Sequence, residues 1–204
     1  MKKLILLTSF IWLLAVCSSH ATSSEADRLK GVIDAAIDAV YGDCCADLSV
    51  EEKQSKVREV LESEYDLNVV IRRAIGRNWR LMDEEEQEKV LELVKQLLVK
   101  AYVENMEGKE PPEVQMGEVV TVTDKRIEIP SKVKLNGEKV DLVYRLGKMS
   151  SGWQIYDIVT EDISVVSNYR QQIDDHFRKG DGQDLINRLQ KLLTKEDIDE
   201  EIQL

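Results

Sequence analysis

The residues best suited to covalent chemistry are two adjacent cysteines, Cys44 and Cys45. Neighbouring cysteines can close only a strained disulfide ring, and a metal site would need further ligands. The chain has no CxxC or HExxH spacing, and thiol catalysis would need His176 brought close in space. We therefore expect the cysteines to pack at a helix end or to form a vicinal disulfide, and we predict no metal and no cofactor.

An acid–base set is the other catalytic arrangement that the residue types allow. Tyr144, Tyr156, Asp157 and His176 could meet inside a concave sheet, but nothing in their spacing requires it. Buried tyrosines and histidines more often satisfy local hydrogen bonds than transfer protons. The chain also lacks a glycine-rich phosphate loop and a GxSxG motif. We predict no catalytic residues, and an enzyme acting on a small hydrophobic substrate is kept as an alternative.

A cluster of four arginines stands out from an acidic background: Arg72, Arg73, Arg77 and Arg80. A guanidinium group suits phosphate because it can donate two parallel hydrogen bonds. We predict that the four form a basic rim for an anionic or zwitterionic headgroup or for a docking partner. The alternative is that they are solvated cations that complement the dipole at a helix C-terminus.

The charge balance excludes nucleic acid as a partner. The chain has 204 residues with 39 acidic and 28 basic side chains, which gives a formal net charge of −11. Such a surface repels nucleic acid and anionic membranes. Its hydrophobic content of 43% is nevertheless sufficient for a globular core.

The N-terminus is typical of a secretory signal peptide. Lys2 and Lys3 precede an apolar run at residues 4–16, which is too short to span a bilayer as a helix. We predict cleavage after Ala21 and export, and the alternative is a lipoprotein signal with Cys17 as the acceptor.

The predicted cleavage changes the net charge and the length of the exported chain. Removal of residues 1–21 takes away two lysines and leaves a net charge of −13 on residues 22–204. We expect residues 22–204 to form one domain with a frayed acidic tail at 195–204. No later run is long and apolar enough to span a bilayer, so we predict no direct membrane insertion.

Helical periodicity flanks a strand-rich segment. Ser49 and Glu52 have the spacing of a capping box, and Asp83 precedes three glutamates that suit the first turn of a long helix. The predicted helices cover residues 29–40, a segment from Ser49, residues 67–75, a segment from Asp83 through Tyr102, and residues 165–177 and 185–193.

Four runs rich in β-branched residues follow a break at Pro111 and Pro112: residues 119–123, 127–135, 140–146 and 154–159. Asn136-Gly137 predicts a hairpin, because a type I′ turn needs positive φ at both central positions. In the third run apolar and polar residues alternate, as in a sheet packed on one face. We predict an α+β fold in which a mostly antiparallel sheet of about four strands is covered by a helical layer.

Residues 153–170, WQIYDIVTEDISVVSNYR, resemble the signature of the MlaC, or toluene-tolerance, family of periplasmic phospholipid-binding proteins. That signature reads W-x-(I/V)-Y-D-V, then E-G-(I/V)-S-L-V, then N-Y-R. Asp162 stands in place of its glycine and Val165 in place of its leucine. Shorter matches lie upstream, in the family's order, at residues 74–79, 97–102 and 143–146.

The resemblance implies a soluble periplasmic carrier that moves phospholipid between the inner and outer membranes. Its implied partners are an inner-membrane ABC-type lipid transport complex and an outer-membrane lipoprotein complex, and it implies no cofactor. Family members enclose acyl chains between a curved sheet and helices. A third function class, an exported adaptor whose core is simply filled, stays open.

We predict an apolar lipid pocket between the sheet and the third, fourth and fifth helices. Each of its residues, taken singly, also suits ordinary core packing at helical or strand spacing. Tyr156, Asp157, Asn168 and Arg170 are interpreted as polar anchors at the strand-to-helix junction, with a headgroup contact from Arg170 as an alternative. The predicted pocket residues are Val70, Ile71, Ile75, Val94, Leu98, Leu142, Tyr144, Ile155, Val166, Tyr169 and Ile173.

Overall fold

Each described α-helix after the first begins directly after a residue whose side chain accepts a hydrogen bond from the first turn of the helix. The computed structural model describes residues 19–135 and 137–195. The predicted helices are all present, as α1 (Ser19–Tyr41), α2 (Val50–Glu64), α3 (Leu67–Ile75), α4 (Glu84–Met106), α5 (Val165–His176) and α6 (Gly182–Leu193). Short 3₁₀ helices follow α1 and α3, at Asp43–Cys45 and Gly76–Leu81.

A capping box starts the second helix as predicted, and a second box starts the fourth helix, where the sequence predicted acidic residues in the first turn. The Ser49 hydroxyl accepts a hydrogen bond from the Glu52 amide at 3.2 Å, and the Glu52 carboxylate accepts one from the Ser49 amide at 2.8 Å. Asp83 and Glu86 make the same reciprocal pair at 2.8 and 3.0 Å. Each box satisfies two amides that a helix start would otherwise leave without a partner.

Most of the predicted signal peptide precedes α1, which begins at Ser19. Residues 1–18 and 196–204 lie outside the described residues, so the signal peptide and most of the acidic tail stay predictions. No helix in the described part of the chain is long and apolar enough to cross a membrane.

The two cysteines lie at a helix end, in the 3₁₀ turn after α1. Cys44 is exposed and Cys45 is buried, and both are free thiols. Their Sγ atoms are 3.1 Å apart, and the Lys56 ammonium is 3.6 Å from Cys45 Sγ. The pair is therefore unbridged here, with the buried member contributing to packing.

The sheet is antiparallel and open, as expected, but the prediction of about four strands is wrong. The described residues form six strands: β1 (Glu113–Met116), β2 (Val120–Thr123), β3 (Arg126–Leu135), β4 (Glu138–Met149), β5 (Gly152–Thr160) and β6 (Ile163–Ser164). β1 and β2 pair with successive stretches of the same edge of β3, and β4, β5 and β6 follow in order. The added strands carry no run of β-branched residues, because β1 (EVQM) contains only Val114 and β6 has two residues.

The predicted hairpin joins β3 to β4. Leu135 pairs with Glu138, so the loop between them holds two residues. Gly137 has φ +85°, in the left-handed region that a tight hairpin turn requires. Asn136 lies outside the described residues. The loop length sets the register of both long strands, because any slip would move the apolar face outward.

One face of the sheet is apolar, and helices cover one end of it. Ile127 pairs with Leu146, and Ile129 pairs with Tyr144, on that face. At this end, side chains of α1 and of the residue after α2 pack onto the sheet, and we call this group the sheet cluster. Its strand members Ile127, Ile129 and Leu146 are at most 1% exposed. Its buried members outside the sheet are Leu29 and Val32 of α1 and Tyr65 after α2.

Two further clusters hold the helices together. The helical cluster joins α3, α4, α5 and α6 through buried residues such as Ile75, Leu97, Ile173 and Leu189. A third cluster joins α1, α2 and α4, with Val57 and Val103 fully buried. The long α4 helix therefore belongs to two clusters at once.

An ion pair fixes α2 beside α4 and should make stability depend on pH. Arg58 donates two hydrogen bonds to the Glu92 carboxylate, at 2.6 and 2.7 Å. Hydrogen bonding by Arg58 lowers the pKa of Glu92 from 4.5 to about 2. A lowered folded-state pKa stabilises the protein fully above pH 4.5, and this stabilisation is lost as the pH falls from 4.5 towards 2.

We expect Glu92→Gln to lose less unfolding free energy between pH 6 and pH 3 than the unsubstituted chain. Because both side chains are partly exposed, the difference should be only about 0.5–1 kcal/mol. Urea unfolding at several pH values measures it, with Glu88→Gln on the exposed side of α4 as the matched control. Equal pH profiles for Glu92→Gln and the unsubstituted chain would contradict the assignment.

Candidate functional site

The predicted pocket residues fall into separate groups in the structure. Within or against the helical cluster lie Val70, Ile71, Ile75, Val94 and Ile173. Tyr144 and Ile155 pack against the sheet cluster instead. Leu98, Leu142, Val166 and Tyr169 belong to neither. Their shared role in one pocket stays a prediction, and Ile71, Ile75 and Ile173, at most 4% exposed, are core positions.

The α4 helix has a third apolar side besides the two that pack in clusters. Leu98 and Tyr102 are four residues apart, so they lie on one side of the helix. Leu98 is 37% exposed, although the adjacent Leu97 and Val99 are 1% and 3% exposed. Leu97 packs in the helical cluster and Val99 packs against α1 and α2. The side between these two directions therefore keeps apolar surface uncovered at Leu98, while Tyr102 also packs against the cluster of α1, α2 and α4.

Electrostatics place this side of α4 near the sheet. Burial raises the pKa of Tyr102, and the neighbouring Tyr144 and Tyr41 raise it further. Burial also raises the pKa of Tyr144, which lies on β4. Both tyrosines are only half-buried by surface area. Tyr144 packs against the sheet cluster and Tyr102 against the cluster of α1, α2 and α4, and each keeps accessible surface on its remaining side.

The part of the sheet around Tyr144 also carries half-buried apolar side chains. Tyr144 pairs with Ile129 on one side and Ile158 on the other, so the three side chains share the apolar face. Leu142 and Ile158 are half-buried and belong to none of the three clusters. No cluster of the described residues joins α4 to the sheet. We call Leu98, Tyr102, Leu142, Tyr144 and Ile158 the inner apolar residues.

The open surface clefts differ in chemistry from the inner apolar residues. One of about 630 Å³ lies beside α4 and α6 and is lined by Glu85, Glu86, Glu88 and Glu92. A second, of about 440 Å³, is lined by the polar segment from Glu62 to Asn68 with Lys95 and Gln154. Neither cleft offers the apolar surface that a hydrocarbon ligand needs.

Asp157 anchors the strand-to-helix junction, as the sequence suggested. It is 5% exposed and accepts hydrogen bonds from Ser164 Oγ at 2.9 Å and from the Val166 amide at 3.3 Å. Arg145 Nη1 donates a third bond at 3.2 Å. The carboxylate therefore ties β5 to the first turn of α5 and is fully committed to structure.

The structure does not bring the acid–base candidates together. Arg145 pairs with Asp157 across the strands, whereas Tyr144 pairs with Ile158, so Tyr144 and Asp157 lie on opposite faces of the sheet. His176 Nε2 lies 3.0 Å from the carbonyl oxygen of Asp181, beyond the end of α5. The described residues also contain no group of side chains that could hold a metal ion.

The four arginines form an exposed group at the end of α3. The Arg72 guanidinium lies 4.7 Å from the centre of the Trp79 ring, and Arg73 lies 4.6 Å from that of Tyr156. Arg77 pairs with Asp174 at 3.4 Å. Stacking on rings holds two of the guanidinium groups at the surface with their N–H edges free to donate.

The sequence analysis missed three residues near these sites. Arg126 lies 5.9 Å from the ring centre of Tyr156 and adds a cation from the sheet to the group. Tyr102 and Ile158 complete the inner apolar residues. Tyr102 lies one helical turn after Leu98, and this spacing could have predicted that both lie on one side of α4. The partners of Tyr102 and Ile158 depend on packing between segments far apart in the chain, which the spacing does not predict.

Arg170 is an anchor for α3 in this structure. It donates hydrogen bonds from Nε at 3.1 Å, and from Nη2, to the carbonyl oxygen of Arg73 in the last turn of that helix. Gly76 ends α3 with φ 62° and ψ −131°, and a Cβ there would lie 3.1 Å from Arg170 Nε. The chain reversal thus needs both the glycine's backbone freedom and the space beside Arg170.

We expect Gly76→Ala to lower the unfolding free energy by about 1–3 kcal/mol, because alanine avoids this backbone region and meets Arg170. Gly31→Ala is the matched control, since Gly31 lies inside α1 with nothing near its added Cβ. That control should be more stable than the unsubstituted chain, by about 0.5–1 kcal/mol. Thermal or urea unfolding gives both values, and equal stability of the two variants would contradict the account.

These features define a class of protein in which helices cover one end of an antiparallel sheet and half-buried apolar side chains face the other end. The family described as MlaC protein matches residues 31–191, and the chain therefore belongs to the MlaC family. The resemblance read from residues 153–170 is confirmed.

Comparison of structures gives a similar fold. The chain is similar to the phospholipid-binding protein from Ralstonia solanacearum, whose structure was solved in complex with a phospholipid. The TM-score is 0.71 and the identity 24%, over 88% of this chain and 100% of that one. Comparison with curated proteins finds no match.

Proposed function

We propose that this protein carries phospholipid, with the acyl chains held between α4 and the apolar face of the sheet. The observation that carries the proposal is the pair Tyr102 and Tyr144, which approach one another across these two elements while both stay half-buried. Leu98, 37% exposed between buried neighbours, adds apolar surface on the same side. Membership of the MlaC family and the phospholipid bound to the similar structure support the same ligand.

Hydrocarbon burial would supply the binding free energy. Each CH₂ group moved out of water contributes about 0.8 kcal/mol, so two acyl chains contribute more than enough to hold a lipid. The pocket needs no cofactor. Of the predicted pocket residues, Leu98, Leu142 and Tyr144 would contact the chains, whereas Ile71, Ile75 and Ile173, buried in the helical cluster, would support the surrounding helices.

The arginine group would serve as the rim of this pocket. Arg72 and Arg73 stack on Trp79 and Tyr156, which leaves their N–H edges available to a phosphate or to acidic side chains of a docking partner. The rest of the surface is acidic and would keep the loaded carrier away from anionic membranes. Contact with membranes would therefore go through partner proteins.

The proposed setting is the periplasm, reached through a cleaved signal at residues 1–21. There the carrier would move lipid between an inner-membrane ABC-type transport complex and an outer-membrane lipoprotein complex. Release requires the helices that cover the lipid to move, so docking that loosens α4 from the sheet would be the trigger.

Lipid loading and a blocked pocket test the proposal. Organic extraction of the purified, folded protein followed by mass spectrometry should yield phospholipid. Leu98→Trp and Leu142→Trp should cut the bound lipid at least about fivefold, because each indole fills space that an acyl chain would occupy. Val122→Trp on the exposed edge strand β2 is the matched control and should leave loading unchanged.

Two results would count against the proposal. A folded protein that carries no lipid and takes none from vesicles is not a carrier. Full loading of both Leu98→Trp and Leu142→Trp, with unfolding curves like that of the unsubstituted chain, would remove α4 and the sheet as the walls of the pocket.

A further inference from the structure

The apolar face of the sheet carries hydroxyl side chains near Tyr144. Ser131 lies on β3 opposite Leu142, one row from Tyr144, and is 3% exposed. Its Oγ atom has no hydrogen-bond partner. The buried Tyr65 hydroxyl, beyond the end of α2, also has no partner of good geometry, and Tyr65 lies near enough to Tyr144 to influence its pKa. Three hydroxyl side chains therefore gather where the inner apolar residues meet the sheet cluster.

A partnerless buried hydroxyl needs an explanation, because desolvating it destabilises the fold unless something bonds to it. Local structure does not supply one. Ser131 lies inside a regular stretch of β3, where alanine or valine would fill the same position without a polar atom. The Ser131 hydroxyl lies close enough to Tyr144 to lower the pKa of that tyrosine, yet it makes no hydrogen bond of good geometry with it. Both groups can thus donate to a third atom.

The proposed ligand contains such an atom. A diacyl phospholipid carries two ester carbonyl oxygens between its phosphate and its hydrocarbon chains, and these are hydrogen-bond acceptors that enter an apolar pocket with the chains. Tyr144 keeps its proton at neutral pH because burial raises its pKa, so its hydroxyl is available as a donor. Ser131 offers a second donor on the same face, and the phosphate itself stays at the rim.

We propose that Ser131 and Tyr144 form a subsite for an ester carbonyl oxygen of the bound lipid. The subsite rests on the proposed carrier function and adds selectivity to it, since apolar walls alone do not distinguish an ester from an ether. A dialkyl lipid of the same chain length fills the same volume but lacks the carbonyl acceptor. It would leave both hydroxyls without a partner, which should weaken its retention about 3- to 10-fold.

A direct competition tests the subsite. The delipidated full chain is mixed with vesicles that contain diacyl and dialkyl phosphatidylethanolamine of equal chain length in equal amounts, and the retained lipids are quantified by mass spectrometry. The unsubstituted chain should retain the diacyl lipid in about 3- to 10-fold excess. Ser131→Ala and Tyr144→Phe should each bring the ratio of diacyl to dialkyl lipid close to one.

Ser55→Ala, which removes an exposed hydroxyl from α2, is the matched control and should keep the excess. If Tyr144→Phe fails to fold by circular dichroism, Ser131→Ala and Ser131→Val carry the test. Equal retention of both lipids by the unsubstituted chain, or an excess that survives both substitutions, would overturn the subsite and leave the carrier function standing. If the folded chain retains neither the diacyl nor the dialkyl lipid, both the subsite and the carrier function are overturned.

Discussion

The apolar face of the sheet has to be covered, and α1 with the end of α2 covers only one end of it. There Ile127, Ile129 and Leu146 are almost completely buried. Further along, Leu142 and Ile158 keep accessible surface because α4 is held elsewhere, by α6 on one side and by α1 and α2 on the other. A soluble domain normally closes such a surface. In the proposed function, the lipid takes the place of the missing helix contact.

Several rigid connections keep this arrangement from collapsing. Asp157 binds β5 to the start of α5, and Arg170 of α5 binds the end of α3. The Arg58–Glu92 pair holds α2 beside α4. Each link places a helix relative to the sheet or to another helix without filling the space between α4 and β4. The proposed carrier function has this requirement, because the interior would have to stay open when the ligand leaves.

The polar groups divide between the two faces of the sheet. The charged pair Arg145 and Asp157 lies on the face opposite to Tyr144. The apolar face carries neutral hydroxyls, which can bond to a ligand without the large desolvation cost of a charge.

Local rules were sufficient for the elements of the fold. Ser49 and Asp83 mark helix starts and Asn136-Gly137 marks the hairpin, because capping and turn geometry depend on residues close in sequence. The family signature at residues 153–170 is likewise contiguous. Packing decided the rest. The pairing of β1 and β6, the approach of Tyr102 to Tyr144 and the uncovered side of Leu98 depend on segments far apart in the chain, and periodicity identifies an apolar side but not what covers it.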